Sequence, residues 1–298
     1  MSVDSKVWFI TGCSSGFGLA ITQLALRRGD KVVATLRRPE LISELASKYP
    51  DTLLILRLDV TSPPEVISAF SASREKFGRI DFVVNNAGHG VMSEVEGTTD
   101  RIARGVFEVN FWGASHVTRE AVKFFREENK PVGGRLLQVS SDSGVESAPG
   151  FVYYCASKFA LEALSEGLAA ELHPDWNIKV TILEPGPFRT KCATVNAVVE
   201  PLHPAYTDPA LPTMQIRSSG LNPDSVFNGD PDKFAEVVYK LAYLEDPPLR
   251  LPIHPVAVAI VRRKGQELLE AADKGESWSE DVLIQDCRPS SHLAEVGI

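Results

Sequence analysis

Tyr154 and Lys158 stand four residues apart, shortly after the run Gln138-Val139-Ser140-Ser141-Asp142-Ser143-Gly144. Residues at i and i+4 of a helix share one face, so a phenol and an ammonium sit side by side. A neighbouring cation favours the phenolate and lowers a tyrosine pKa from its ordinary value near ~10. That suits a general acid/base working near neutral pH. Ser140 and Ser141 close a strand-like run, Arg135 to Val139, and a hydroxyl there can hydrogen-bond a carbonyl oxygen held beside Tyr154. Surface tyrosine–lysine pairs are common on ordinary helices, so the rest of the chain decides between chemistry and accident.

The elements that position this pair are regular. Lys6 to Thr11 reads as a buried strand, followed by Thr11-Gly12-Cys13-Ser14-Ser15-Gly16-Phe17-Gly18, a helix from Leu19 to Arg28 and a strand from Lys31 to Thr35. This is a βαβ unit whose glycine-rich turn opens a helix, and amides at such a helix start can hold a pyrophosphate. The spacing is Gly-x3-Gly-x-Gly; a tight βα turn without a ligand is the plainer reading of the turn alone. Further strands are expected at Leu53–Leu58, Ile80–Val84, Arg135–Val139, Ile178–Leu183 and Leu249–Pro252. Between them, helices are expected at Ser62–Phe77, from Thr98 or Thr99 to Asn129, and at Tyr153–Leu172, Pro231–Leu244 and Pro255–Ala272. The alternation predicts an α/β fold: a single-domain, doubly wound parallel sheet of Rossmann type over residues 1–275. Ligands in such sheets bind beyond the carboxyl ends of the strands. Glu184 to Asp230 is rich in Pro, Gly, Ser, Thr and Asn and reads as a long, structureless lid, about 186–230, after the sixth strand. Residues 276–298 read as a polar tail.

Composition narrows the function. The 298 residues carry a formal net charge of −8, with 44% hydrophobic and 23% charged residues, as in a globular protein without a basic nucleic-acid face. The cysteines Cys13, Cys155, Cys192 and Cys287 show no paired spacing, which fits reduced thiols, and no metal ligands are assigned. No apolar run is long enough to span a membrane, so a soluble, cytoplasmic protein is expected.

Thr11-Gly12-x3-Gly16-x-Gly18, Asn85-Asn86-Ala87-Gly88, Asn110, Ser141, Tyr154-x3-Lys158 and Pro185-Gly186-x3-Thr190 together resemble the short-chain dehydrogenase/reductase family in order and spacing. The resemblance covers about Lys6 to Thr190, and the Gly12–Gly18 and Tyr154–Ala160 stretches look like hydroxysteroid and retinol dehydrogenases. It implies that Ser141, Tyr154, Lys158 and Asn110 are catalytic: Ser141 gripping a substrate oxygen, Tyr154 moving the proton, Lys158 tuning it and holding the nicotinamide ribose. Asn110 would hold a relay water through a local irregularity of its helix. It further implies a dinucleotide held by Gly12, Ser14, Ser15, Gly16, Phe17 and Gly18. Asp59 and Val60 would meet the adenine, Asn86, Ala87 and Gly88 the ribose wall, and Pro185, Gly186 and Thr190 the carboxamide.

Relatives that prefer NAD carry an acid at the end of the second strand. Here Leu36 takes that place and Arg37 and Arg38 follow, which points to NADP(H) over NAD(H), although Ser15 stands where many NADP-binding relatives are basic. The implied function is an oxidoreductase interconverting a ketone or aldehyde and an alcohol. His89, Val145, Phe151 and Phe188 are candidate pocket residues. The lid residues Val195, Val198, Val199, Leu202, Tyr206, Leu211 and Met214 suggest an apolar small-molecule substrate. Two alternatives stay open: an epimerase or dehydratase with no net change at the nicotinamide absorbance, and a dinucleotide-sensing regulator, which in relatives usually loses the tyrosine or lysine. Apolar residues on the helices near Thr99–Asn129 and Tyr153–Leu172, Val106, Trp112, Val117, Phe125, Phe159 and Leu161 among them, lead to an expected homodimer or homotetramer.

Overall fold

In the computed structural model, which describes residues 5–190, 198–220, 227–279 and 282, the expected strands form one parallel sheet. They are β1 (Val7–Thr11), β2 (Lys31–Leu36), β3 (Leu53–Arg57) and β4 (Phe82–Asn85), then β6 (Gly134–Val139), β7 (Ile178–Pro185) and β9 (Arg250–Ile253). Two short strands, β5 (Val91–Met92) and β8 (Val198–Val199), pair with each other elsewhere. The main sheet runs β3-β2-β1-β4-β6-β7-β9, with every neighbouring pair parallel. Strand order reverses between β1 and β4, which opens a crevice at their carboxyl ends.

Helices cover both faces because β1 is buried at every position and apolar from Val7 to Ile10. Trp8 and Ile10 point to one side, among residues of α1 (Gly16–Arg27) and the later helix Pro231–Ala242; Phe9 points to the other, against Phe70 and Phe125. The second face belongs to α3 (Pro63–Phe77) and α5 (Ala114–Glu127), whereas the short α2 (Ser43–Lys48) packs on the first face through Leu45. The helix expected from Thr99 to Asn129 is broken. Thr99 caps α4 (Asp100–Phe107), a π-helical turn occupies Glu108–Gly113, and α5 follows. At the end of that turn a Cβ on Gly113 would lie 2.6 Å from Val60 Cγ2, so only glycine lets the helix pass the loop after β3. The next helix, α6 (Val152–Glu171), carries Tyr154 and Lys158.

The described part of the stretch expected to be structureless is not so. Besides β8 it contains α7 (Pro212–Gly220), and its base is closed where Phe188 bridges Gly229. The Arg217 guanidinium on α7 donates to both oxygens of Glu94, at 2.8 and 3.0 Å, and Glu94 is buried. Val195 and most of the 276–298 tail lie outside the described residues, as do Cys192 and Cys287. After the lid come α8 (Pro231–Ala242), β9 and α9 (Pro255–Gly275).

At the opposite, amino edge of the sheet, charged side chains tie the loops together. Asp81 accepts from the Val7 amide at 2.9 Å and pairs with Arg79 at 2.8 Å. Asp30 accepts from the Lys6 amide, the Trp8 indole and the Tyr243 hydroxyl at 2.9, 2.9 and 2.6 Å. Arg135 donates to the carbonyls of Asn177 and Glu245, both at 3.1 Å.

One expectation about surfaces changes. Val106, Val117, Val122, Phe124, Phe125 and Leu161 are buried inside this one chain, leaving Trp112 and Phe159 as the exposed large apolar groups of that set. Those helices therefore need much of their apolar surface for their own core. Among the described residues no helix is long and apolar enough to cross a membrane, and no His/Cys/Asp/Glu group is placed to hold a metal ion.

Candidate active site

The glycine turn is built by close approach. A Cβ on Gly18 would lie 2.5 Å from the Gly12 carbonyl oxygen, and one on Gly16 would lie 3.3 Å from Thr190 Cβ. The Thr190 segment therefore folds over the turn between β1 and α1. Asn86 fixes the turn from β4, its Nδ2 donating to the Thr11 carbonyl at 2.7 Å, while the Asn86 and Ala87 amides donate to Thr11 Oγ1. Ser15, the N-cap of α1, makes no side-chain capping bond, and the first turn has no acid. The N-terminal amides of α1 thus face a glycine-lined crevice without a built-in anion, which fits a dinucleotide phosphate.

Beside the turn, Arg37 and Arg38 leave β2 exposed, Asp59 and Val60 follow β3, and Gly88 and His89 follow β4. Burial pushes the Asp59 carboxyl up, but hydrogen bonds from Thr61 and the charges of Arg37 and Arg57 outweigh it and hold the group below its ordinary range. Burial, and then the charges of Arg37 and Lys158, hold the His89 imidazole below its usual pKa. The Arg37 charge thus contributes at both Asp59 and His89.

Lys158 is buried, and its Nζ donates to the Val139 carbonyl at 2.8 Å, tying α6 to the end of β6. The same Nζ lies 5.9 Å from the centre of the Tyr154 ring. A Cβ at Gly88 would be 3.6 Å from Lys158 Nζ and 3.1 Å from Asn110 Oδ1, so the loop after β4 closes onto both. Asn110 sits in the π-turn and is buried. Its Oδ1 accepts from the His89 amide, and its Nδ2 donates to the His89 carbonyl and Ser157 Oγ, each at 3.0 Å. Ser141 caps the turn Asp142–Gly144. Its Oγ donates to Asp142 Oδ1 at 2.9 Å and accepts from the Ser143 amide at 3.1 Å.

Behind Ser141, Ser140 Oγ donates to Glu162 at 2.6 Å, and Arg250 joins Glu162, Glu166 and Glu184. Pro185 ends β7, and the Gly186 amide donates to the Ile253 carbonyl at 3.0 Å.

A sequence profile for short chain dehydrogenases matches residues 6–198. This chain belongs to the short-chain dehydrogenase/reductase family. It is similar to an uncharacterised oxidoreductase of Schizosaccharomyces pombe, 37% identical over 95% of this chain and 93% of the other. A short-chain dehydrogenase from Streptomyces avermitilis superposes with a TM-score of 0.84 at 36% identity, covering 94% of this chain and 98% of the other. An alcohol dehydrogenase from Thermococcus sibiricus, solved with 5-hydroxy-NADP, gives 0.68 at 25% identity over 85% and 98%. Other solved structures of this fold are complexes with NAD and with NADP.

In this short-chain dehydrogenase/reductase the expected site residues fall along one carboxyl edge of the sheet, with two qualifications. Phe188 is buried in an aromatic cluster, 5.2 Å from the Phe17 ring and 5.4 Å from Phe234, so it packs in the core instead of lining a pocket. Phe17 stacks on Phe234 at 3.8 Å, which leaves its backbone as the part of that residue facing the turn. Val145 and Phe151 are half-buried on either side of the loop leading into α6. The sequence reading passed over Asp142, Glu162, Arg250 and His254. Only Asp142 carried a local signal, an acid directly after the candidate serine.

Proposed function

We propose that this oxidoreductase interconverts a carbonyl group and an alcohol on a largely apolar small molecule, with NADP(H) as the dinucleotide. The observation that carries the reading is the placement of Lys158: buried, bonded to the end of β6, and beside the Tyr154 ring, one residue position from where Ser140 and Ser141 leave the strand. An ammonium so held favours the ionised phenol without being free to swing away. Tyr154 would give its proton to a substrate oxygen during reduction and take it back during oxidation, while the Ser141 hydroxyl orients that oxygen. A bound nicotinamide supplies or accepts the hydride. Lys158 and Asn110 would keep Tyr154 and the loop after β4 in register, the Gly12–Gly18 turn would hold the phosphates, and Arg37 would read the 2′-phosphate. Fit to a dinucleotide is supported by the glycine cradle and the uncapped α1 start.

The test is a panel of apolar ketones, aldehydes and secondary alcohols with NADPH and NADP⁺, followed at the nicotinamide absorbance, for wild type and Tyr154→Phe. General acid/base assistance is worth typically ~10²–10⁴-fold, so the Phe variant should lose at least that in kcat while binding NADPH within a few-fold of wild type. A Phe variant with near-wild-type kcat would overturn the assignment.

A further inference from the structure

The Ser141 hydroxyl has one proton, and in this structure it is directed at a carboxylate. Its Oγ donates to Asp142 Oδ1 at 2.9 Å, Ser143 Oγ approaches the same oxygen at 3.4 Å, and the Ser143 amide fills one acceptor position of Ser141. An ionised carboxylate only accepts, whereas a protonated one also donates. We propose that Asp142 governs where Ser141 donates: ionised, it retains the hydroxyl proton; protonated, it donates to Ser141 Oγ and turns that hydroxyl toward the substrate oxygen. The inference rests on the carbonyl–alcohol chemistry above and makes Asp142 a positioning residue, since it acts through Ser141. No net proton is consumed: Asp142 keeps its own, and Ser141 changes only the acceptor it serves.

The surroundings suit such a switch. Asp142 is half-buried, and burial raises its pKa against the opposing hydrogen bonds of Ser141 and Ser143 and the nearby His254. His254 faces it from the start of α9, holding Asn228 with Nε2 and accepting from the Val256 amide with Nδ1. From α6 comes Cys155, whose thiol is pushed up mainly by burial and in part by Asp142 itself. The remaining charges nearby are spoken for: Glu146, in the same loop, pairs with Arg263, and Glu162, behind Gly144, pairs with Arg250. Asp142 is thus the carboxylate of this loop that no cation pairs with among the described residues.

Two measurements test it. In the first, kcat/KM for carbonyl reduction is followed against pH in wild type and Asp142→Asn. Wild type should gain about tenfold toward acid through a step below that of Tyr154, the factor expected for releasing one hydrogen bond to a charged group. Asp142→Asn should lack that step and run at the higher level throughout. An acid step surviving in the variant would overturn the proposal.

In the second, carboxyl-¹³C aspartate is titrated by NMR in the full-length protein, with Asp142 assigned from its absence in Asp142→Asn or Asp142→Ala. Ser141→Ala should raise the Asp142 pKa by about one unit, because the charged form loses its donor. An identical titration in Ser141→Ala would also overturn it. The second arm needs no turnover, so a chain that reduces no carbonyl yet shows the Asp142 shift would sink the proposed activity and leave this coupling standing.

Discussion

Arg37 is the side chain to which we assign the proposed choice of cofactor. It leaves β2 beside Leu36, exposed, and its charge is felt at both Asp59 and His89. A guanidinium presents a planar fork suited to phosphate oxygens, and the apolar Leu36 offers nothing to a free ribose hydroxyl. Hydrogen bonds to charged groups contribute about 1.5–3 kcal/mol each, so Arg37→Ala should weaken NADPH by roughly 10- to 150-fold and leave NADH nearly unchanged. Adding Leu36→Asp should move preference toward NADH, since the new carboxylate accepts from the ribose and repels phosphate. The measurement is kcat/KM with both cofactors for wild type, single and double variants. An equal loss for both cofactors in Arg37→Ala would show that the phosphate is not what it reads.

At the scale of elements, the two-residue ladder of β5 with β8 and a buried fork are among the contacts that tie the described part of the lid to the body. Arg217 on α7 and Glu94 after β5 make a bidentate pair whose side chains are 15% and 1% exposed. Removing one partner of a buried pair strands the other, at a cost of about 3–5 kcal/mol. Arg217→Ala should therefore free α7, seen as fast proteolytic cleavage within 198–220 while the sheet stays intact, and change KM for the carbonyl substrate more than kcat. Cleavage as slow as in wild type would place the hold elsewhere. None of this was readable beforehand, because Glu94 and Arg217 are far apart in sequence and strands of two residues have no period to detect. The glycine turn and Tyr154-x3-Lys158 were legible for the opposite reason: their geometry is local, set by the βα turn and by helical spacing. Asn110 was found by resemblance; that its amide would be occupied by the His89 backbone and Ser157 depends on the π-turn, which no spacing announces. Phe188 was misplaced because an aromatic at a strand end reads the same whether it faces a pocket or, as here, packs with Phe17, Phe234 and His254.

At the scale of the whole molecule, one buried carboxyl under the site bears on stability. Glu184 is buried, one of its oxygens has no hydrogen-bond partner, and burial followed by the charge of Glu162 pushes its pKa up against the pull of Arg250. A raised folded-state pKa means its contribution is fully present below the unfolded value, near ~4.3, and is lost as pH rises through the folded one. Glu184→Gln should therefore melt at or above wild type at pH 8, with the difference closing toward pH 4. A larger deficit for the variant at pH 8 than at pH 4 would show that Arg250 needs all three carboxylates. Assembly is a separate matter: a dimer or tetramer by light scattering at micromolar concentration is the expected result, with Trp112 and Phe159 covered. A monomer mass would leave those two rings as solitary surface residues.

The division between the two edges of the sheet bears on how this protein can be altered. Every candidate chemical group lies at the carboxyl edge, where buried charge and a crowded glycine turn work against stability. The amino edge is stitched by Asp30, Asp81 and Arg135 and carries none of the candidate residues. Gains in robustness usually exact a toll in turnover when they stiffen a working site. Here a designer can reinforce one rim, through its turns at Gly29, Gly78 and Asn177, and leave the other rim untouched, so that thermal tolerance and catalysis become two separately adjustable properties of one sheet.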